Sequence, residues 1–136
     1  MIEIERLVRA PMPVVWHCWT SAEHIKQWNA ASDDWHTTSA SVDLQPGGRF
    51  LSRMEAKDGS MGFDFAGRYT DIQPHAVIGA TLDDGRQARV EFTPMPDGVL
   101  VRESFEPDPS HSEEMQRAGW QAILDRFARH AEAQKT

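Results

Sequence analysis

Asp33 and Asp34, beside Trp35 and His36, put two carboxylates and an imidazole within four residues of one another. A histidine next to an aspartate can act as a general base, and paired carboxylates raise one another's proton affinity. Neighbours in sequence rarely converge on one reacting atom, however, and aspartates in loops are usually turn formers. Asp34 is therefore one weak candidate for an acid or base, and Tyr69, the single tyrosine, is the other. The six histidines show no i, i+4 pair and no HExxH pattern, so no metal site is expected. Cys18 is the lone cysteine, which excludes an internal disulfide, and beside Trp19 it reads as a small buried hydrophobe. A GxSxG elbow, a phosphate-binding glycine loop and a dinucleotide turn are all missing, so no cofactor is expected.

Aromatic residues carry the stronger signal. Trp16, Trp19, Trp28 and Trp35 fall within twenty residues and Trp120 lies far downstream. Such side chains suit both a core and the wall of a pocket for a flat apolar ligand. Trp16 and Trp19 are expected in the core, and Trp28, Trp35 and Trp120 on a pocket wall. On the segment around residues 62–73, Phe63, Phe65 and Tyr69 share one face and Asp64 points the other way. Burying an aromatic ring gains roughly 1.5 to 3 kcal/mol, whereas an unpaired carboxylate costs several, so the rings should face inward. The expected ligand-binding set is Trp28, Trp35, Phe50, Met54, Phe63, Phe65, Tyr69, Trp120 and Leu124, with Tyr69 as a polar handle. Arg53, Glu55, Arg86, Arg89, Glu91, Arg102 and Glu103 read as a solvated sheet face, from which Arg86 or Glu103 is the best placed to orient a ligand instead.

The elements that must position these residues follow from periodicity. MIEIERLV alternates like a half-buried first strand and stops at Ala10-Pro11. Pro11 and Pro13 suit a helix start, and Thr20 with Glu23 has the spacing of a capping box for a second short helix. Turn signals at Gly47-Gly48, Asp58-Gly59, Asp84-Gly85 and Asp97-Gly98 then separate strands near 38–45, 49–57, 62–73, 76–82, 86–94 and 98–106. Gly67 is expected to let the longest strand bend. Ser110 and Glu113 have capping-box spacing at the head of a terminal helix of about 24 residues, roughly 36 Å long. Its apolar stripe is Met115, Trp120, Ile123, Leu124, Phe127 and Ala131, and Lys135 sits near its end.

The fold class expected is α+β: a curved antiparallel sheet of six to seven strands wrapped around a long C-terminal helix, as a single domain over residues 1–136. One amphipathic helix cannot fill the concave side, so a sealed hollow bordered by rings rather than ionised groups should remain. With 14 Lys and Arg against 21 Asp and Glu, the formal charge of −7 argues against nucleic acid and anionic membrane surfaces as partners. No stretch approaches the ~18 to 20 apolar residues of a membrane helix, and the N-terminus is not a signal peptide, so a cytoplasmic location is expected.

Four separated segments, APMPVVWHCWTSAEHIKQW, DLQPGGRF, FAGRYTDIQP and GWQAILDRFARHAE, resemble in order and spacing the signature segments of the START-like, or SRPBCC, superfamily. Within it they are similar to the branch related to the C-terminal domain of the activator of the ninety-kilodalton heat-shock protein ATPase. WNAASDDWH and SRMEAKDGSMGFDFAG resemble a bacterial subgroup described as CalC-like or polyketide-cyclase-like. The resemblance implies the helix-grip fold, with a ligand cavity between sheet and C-terminal helix. The first function expected is binding of a small hydrophobic molecule, aromatic or lipid- or polyketide-like. The rivals are a cyclase- or hydrolase-type enzyme using Tyr69 or Asp34, and a regulator of a chaperone ATPase. The eukaryotic activators carry an additional N-terminal domain, whereas this chain starts at the first strand, which counts against a chaperone partner. A homodimer through the outer sheet or a strand edge is allowed by the pattern.

Overall fold

The structure is a computed structural model that describes residues 1–134; the expectation for Lys135 lies outside the described residues. The first strand, β1 (Ile2–Val8), is followed by α1 (Met12–Thr20), α2 (Ala22–Trp28), β2 (Trp35–Val42), β3 (Arg49–Ala56), β4 (Gly62–Gln73), β5 (Val77–Leu82), β6 (Gln87–Met95), β7 (Gly98–Phe105) and α3 (Glu113–Glu132). All seven strands form one antiparallel sheet in the order β1-β7-β6-β5-β4-β3-β2. It is a curved half-barrel with the long helix against its concave side.

The hairpins close where the sequence places Asp-Gly. Asp58 accepts from the Ser60 amide at 2.8 Å and Asp84 from the Arg86 amide at 3.1 Å, while Gly59 (φ 78°) and Gly85 (φ 92°) take the left-handed turn position. Gly67 answers a different need. A Cβ there would lie 2.5 Å from the Thr81 carbonyl oxygen and 3.0 Å from the Phe50 ring. The bend is expected at Gly67, but the irregularity in the β4–β5 pairing is a register shift between Tyr69 and Asp71, while Gly67 itself pairs regularly with Leu82. Gly67→Ala is expected to cost about 1–3 kcal/mol in urea unfolding, because the Thr81 backbone has to move to admit the methyl.

Helix ends differ in detail from the sequence pattern. Ser112, not Ser110, caps α3, accepting from the Met115 amide at 3.1 Å, and Ser110 bonds Asp108 instead. The Thr20 hydroxyl donates back to the Trp16 carbonyl at 2.8 Å, leaving Ser21 as the elbow between α1 and α2. Met115 is 63% exposed, and Gln116 takes the inward place at that end of the helix. Its amide accepts from the Asp108 amide (2.7 Å) and donates to the Asp108 and His111 carbonyls (2.8 and 3.0 Å), so the polar side chain is buried with its bonds made.

Leu124, Phe127, Ala128 and Ala131 form the fully buried stripe of α3 and meet Val8, Val15, Cys18, Val99 and Val101. The same helix guards the edge strand β1. Arg117 donates to the Glu3 carbonyl (2.6 Å), Gln121 to that of Glu5 (3.4 Å), and Arg6 pairs with Asp125 (3.0 Å). Backbone acceptors that would otherwise invite a further strand are thereby occupied.

Candidate functional site

Between the concave sheet face and the helices lies a cavity of about 310 Å³. The sequence builds it from three sides. Strands β3 and β4 contribute Phe50, Met54, Phe63, Phe65 and Tyr69; the helices contribute Trp19, Ile25, Trp28, Trp120 and Ile123; β5 to β7 contribute Ile78, Ala80, Leu82, Ala88, Val90 and Glu103. Phe63, 47% exposed, and the exposed Ser41 lie at its solvent side, so the hollow is open rather than sealed.

Seven of the nine residues expected at a ligand site line this cavity: Trp28, Phe50, Met54, Phe63, Phe65, Tyr69 and Trp120. Trp35 does not; its ring packs on Phe63, with centroids 5.8 Å apart, where β2 begins three residues earlier than its alternation predicts. Leu124 is fully buried one turn beyond Trp120 and belongs to the core stripe. Conversely Trp19, expected in the core, reaches the lining while packing against Trp28, Phe92 and Phe127. Its position in the fold decides this, since α1 and α2 meet at an elbow over the cavity.

The aromatic wall is held in place. Trp120 stacks on fully buried Phe105, with centroids 3.7 Å apart and planes at 13°, and meets Phe65 edge-on at 6.0 Å. Trp28 is oriented by its indole N–H, which donates to the Cys18 carbonyl at 2.9 Å. Phe50 leans on Tyr69 at 5.1 Å. Trp120 and Phe65 touch, yet the cavity persists beside them.

Most charged strand residues do form an outer solvated face, with Arg53 pairing Glu55 and Asp64, Arg89 pairing Asp71 and Glu91, and Arg102 pairing Glu5. Glu103 does not. It stands opposite Ile4 on β1 and Val90 on β6, two buried apolar residues, and so occupies the inward register of β7 between Val101 and Phe105. Half-buried where it borders the cavity, its carboxyl is pushed from the ordinary value of 4.5 up to about 8, and loss of solvent around it is the cause. At pH 7 it is mostly a neutral acid, able both to donate and to accept a hydrogen bond. The alternation of β7 marks position 103 as inward, and that was the signal available in the sequence. Arg86 and Arg89 also border the cavity, but Arg86 is committed to Asp84 (2.7 Å) and the Glu106 carbonyl (3.4 Å), and the Arg89 guanidinium to Asp71 (3.8 Å) and Glu91 (4.0 Å) on the outer face.

The two catalytic candidates fare differently. Asp34 is exposed beyond the cavity lining, in the turn before β2, and neighbouring Asp33 is held below the usual carboxylate range by its bond to Arg126 at 2.8 Å. Tyr69 faces the cavity with its phenol pushed up to about 12, first by burial and then by the charge of Asp43. It stays protonated at neutral pH and serves as a hydrogen-bond donor rather than a base. Cys18, His24 and His130 converge elsewhere, outside this lining.

Residues 9–132 match the family model described as "Activator of Hsp90 ATPase homolog 1-like protein". The chain belongs to that family. Its fold is shared with a solution structure of an AHSA1-like protein from Aeromonas hydrophila, at 46% identity and a TM-score of 0.92 over 97% of this chain and 92% of that one. A solution structure from Cytophaga hutchinsonii is 42% identical, with a TM-score of 0.83 over 96% and 91% of the two chains. A crystal structure of a Chromobacterium violaceum protein, 21% identical with a TM-score of 0.88 over 98% of each chain, shares the fold. No curated protein matches the chain. START-like domains of this AHSA1-like type commonly bind hydrophobic ligands. Among the described residues, no helix of this AHSA1-like chain is long and apolar enough to cross a membrane.

Proposed function

We propose that this AHSA1-like protein binds a small, largely apolar molecule, aromatic in part, in the cavity between its sheet and α3, with one polar end of the guest at Glu103. The observation that carries the reading is the cavity of about 310 Å³ walled by aromatic rings with a half-buried carboxyl, that of Glu103, on its lining. Pockets for organic ligands typically run from about 300 to 1,000 Å³, apolar with a few placed polar groups, and this one sits at the small end. The rings exclude water from the guest's apolar body. Glu103 and the Tyr69 phenol then select for a hydroxyl, amine or carbonyl at its polar end, since leaving a buried polar group unpaired costs about 1–3 kcal/mol.

Thermal unfolding in the presence of small aromatic compounds tests this. A compound at a hundred times its Kd stabilises by about 2.7 kcal/mol, a shift of several degrees in Tm. Ala88→Phe, which places a ring in the lining, is expected to remove the shift while leaving the fold intact. A library that shifts neither protein, or shifts both equally, contradicts the reading.

A second reading, acid–base catalysis in the same cavity, is favoured by one feature: a carboxyl in an apolar site with its proton affinity near neutral pH is suited to general acid work. In that case Glu103→Gln abolishes turnover of a bound compound and leaves its binding in place, while Tyr69→Phe and Asp34→Asn leave the rate within about tenfold.

A further inference from the structure

Three helices that are distant in sequence bring their side chains together on the other side of the α1–α2 elbow. Cys18 comes from α1, His24 from α2 and His130 from the last turns of α3. The Cys18 Sγ lies 3.8 Å from His24 Nδ1, that same nitrogen lies 2.8 Å from His130 Nε2, and all three atoms fall within 4.8 Å of one another. We propose that Cys18, His24 and His130 form a site for a thiolate-binding divalent metal ion, with zinc the best match.

Zinc takes sulfur at about 2.3 Å and imidazole nitrogen at about 2.0–2.1 Å in a tetrahedron, which spaces neighbouring ligand atoms by about 3.3–3.6 Å. The Cys18–His24 pair already has nearly that spacing, the two imidazoles need to part by about half an ångström, and Cys18 Sγ and His130 Nε2, the widest pair at up to 4.8 Å, need to close by about 1 Å through side-chain rotation to admit the ion. One thiolate with two imidazoles is a borderline-soft donor set that selects zinc over magnesium or calcium, which prefer oxygen. The fourth position belongs to His17 or to water: His17 is exposed, adjoins Cys18 in the chain, and its ring centroid stands 5.1 Å from that of His24.

The metal-free state is compatible with loading. The imidazoles share one hydrogen bond, so one nitrogen donates and the other accepts. Burial and then the charge of His24 hold His130 below the usual histidine range, which keeps a neutral nitrogen ready to ligate. Cys18 is 1% exposed and burial pushes its thiol up, so binding releases the thiol proton to solvent as the sulfur–metal bond forms. His24 and His130 are only half-buried and leave the ion a path inward. Once bound, the ion ties all three helices together beside Trp19 and Trp28 of the cavity wall, so loading should also raise Tm.

Cobalt(II) titration of the chelator-treated full chain is the test, because a cobalt–thiolate bond gives a charge-transfer band that imidazole or carboxylate binding does not. The expected result is one equivalent of cobalt with that band, displaced by zinc. His24→Ala and His130→Ala should each weaken cobalt at least tenfold, and His111→Ala, in the exposed turn before α3, should not. Cys18→Ser should bind without the band; since Cys18 is buried, near-ultraviolet circular dichroism checks that this variant is folded, and the histidine variants carry the test on their own if it is not. Absence of the band in the unaltered protein, or an affinity unchanged by both histidine variants, overturns the proposal.

Discussion

Glu103→Gln is expected to make the protein more stable at pH 8 by about 2–3 kcal/mol and to flatten its stability profile between pH 5 and pH 8. In the folded protein the Glu103 carboxyl keeps its proton up to about 8, whereas the unfolded chain releases it near the ordinary 4.5. Between those values the folded state binds more protons than the unfolded one. Stability from this group is therefore fully present below 4.5, declines as pH rises through the window, and levels off above 8. The full displacement corresponds to roughly 4–5 kcal/mol, and water in the open cavity reduces it to the smaller figure. Gln keeps the shape and both hydrogen-bonding roles of the neutral acid but has no charge to desolvate. His130 works in the opposite sense. Its proton affinity is lowered, so the unfolded state binds more protons below the ordinary histidine value of 6.5 and stability is lost as pH falls through that region. Urea unfolding of both proteins at several pH values separates the two, because only the difference between the curves belongs to position 103. Parallel curves would place the Glu103 carboxyl in bulk-like water.

Phe127→Ala is expected to cost about 3–5 kcal/mol. The ring is fully buried and meets two tryptophans edge-on, Trp19 at 4.8 Å and Trp28 at 4.9 Å. Removing it takes away the transfer free energy of a phenyl group and leaves a void that α3 cannot close, since Ala128 and Ala131 beside it are already packed against the sheet and α1. For a domain with the usual ~5–15 kcal/mol of stability that is a large fraction. Phe63→Ala is the contrast. At 47% exposure that ring contributes little to folding, and its loss should cost under about 1 kcal/mol while weakening an aromatic guest, because it borders the cavity opening. Guanidinium unfolding of the two variants beside ligand titration distinguishes a core phenylalanine from a binding one.

Local patterns carried the architecture. Alternation and Asp-Gly turns located β3 to β7 within a residue or two, since these are antiparallel neighbours joined by short connections, where turn chemistry sets the register. The start of β2 was less legible: Trp35 and His36 follow a polar loop, and what makes them strand is pairing with Ala56 and Glu55, a contact twenty residues away. The inward face of β4 followed from the cost of burying Asp64 against Phe63 and Phe65. Glu103 was harder, because a charged residue on a strand ordinarily faces solvent; the alternation of β7 points it inward with Val101 and Phe105, and the register between β1 and β6 bears the alternation out. Cys18, His24 and His130 were beyond any spacing rule. They lie on three helices, and His130 is more than a hundred residues from the other two.

The direct test of the ligand-binding account is where a guest sits. For the aromatic compound that most raises the melting temperature, intermolecular nuclear Overhauser effects should run from its ring protons to the Trp120 indole and the Phe65 ring, and Ala88→Phe should abolish them. Contacts confined to the outer face of the sheet, or an undiminished signal in that variant, would contradict it.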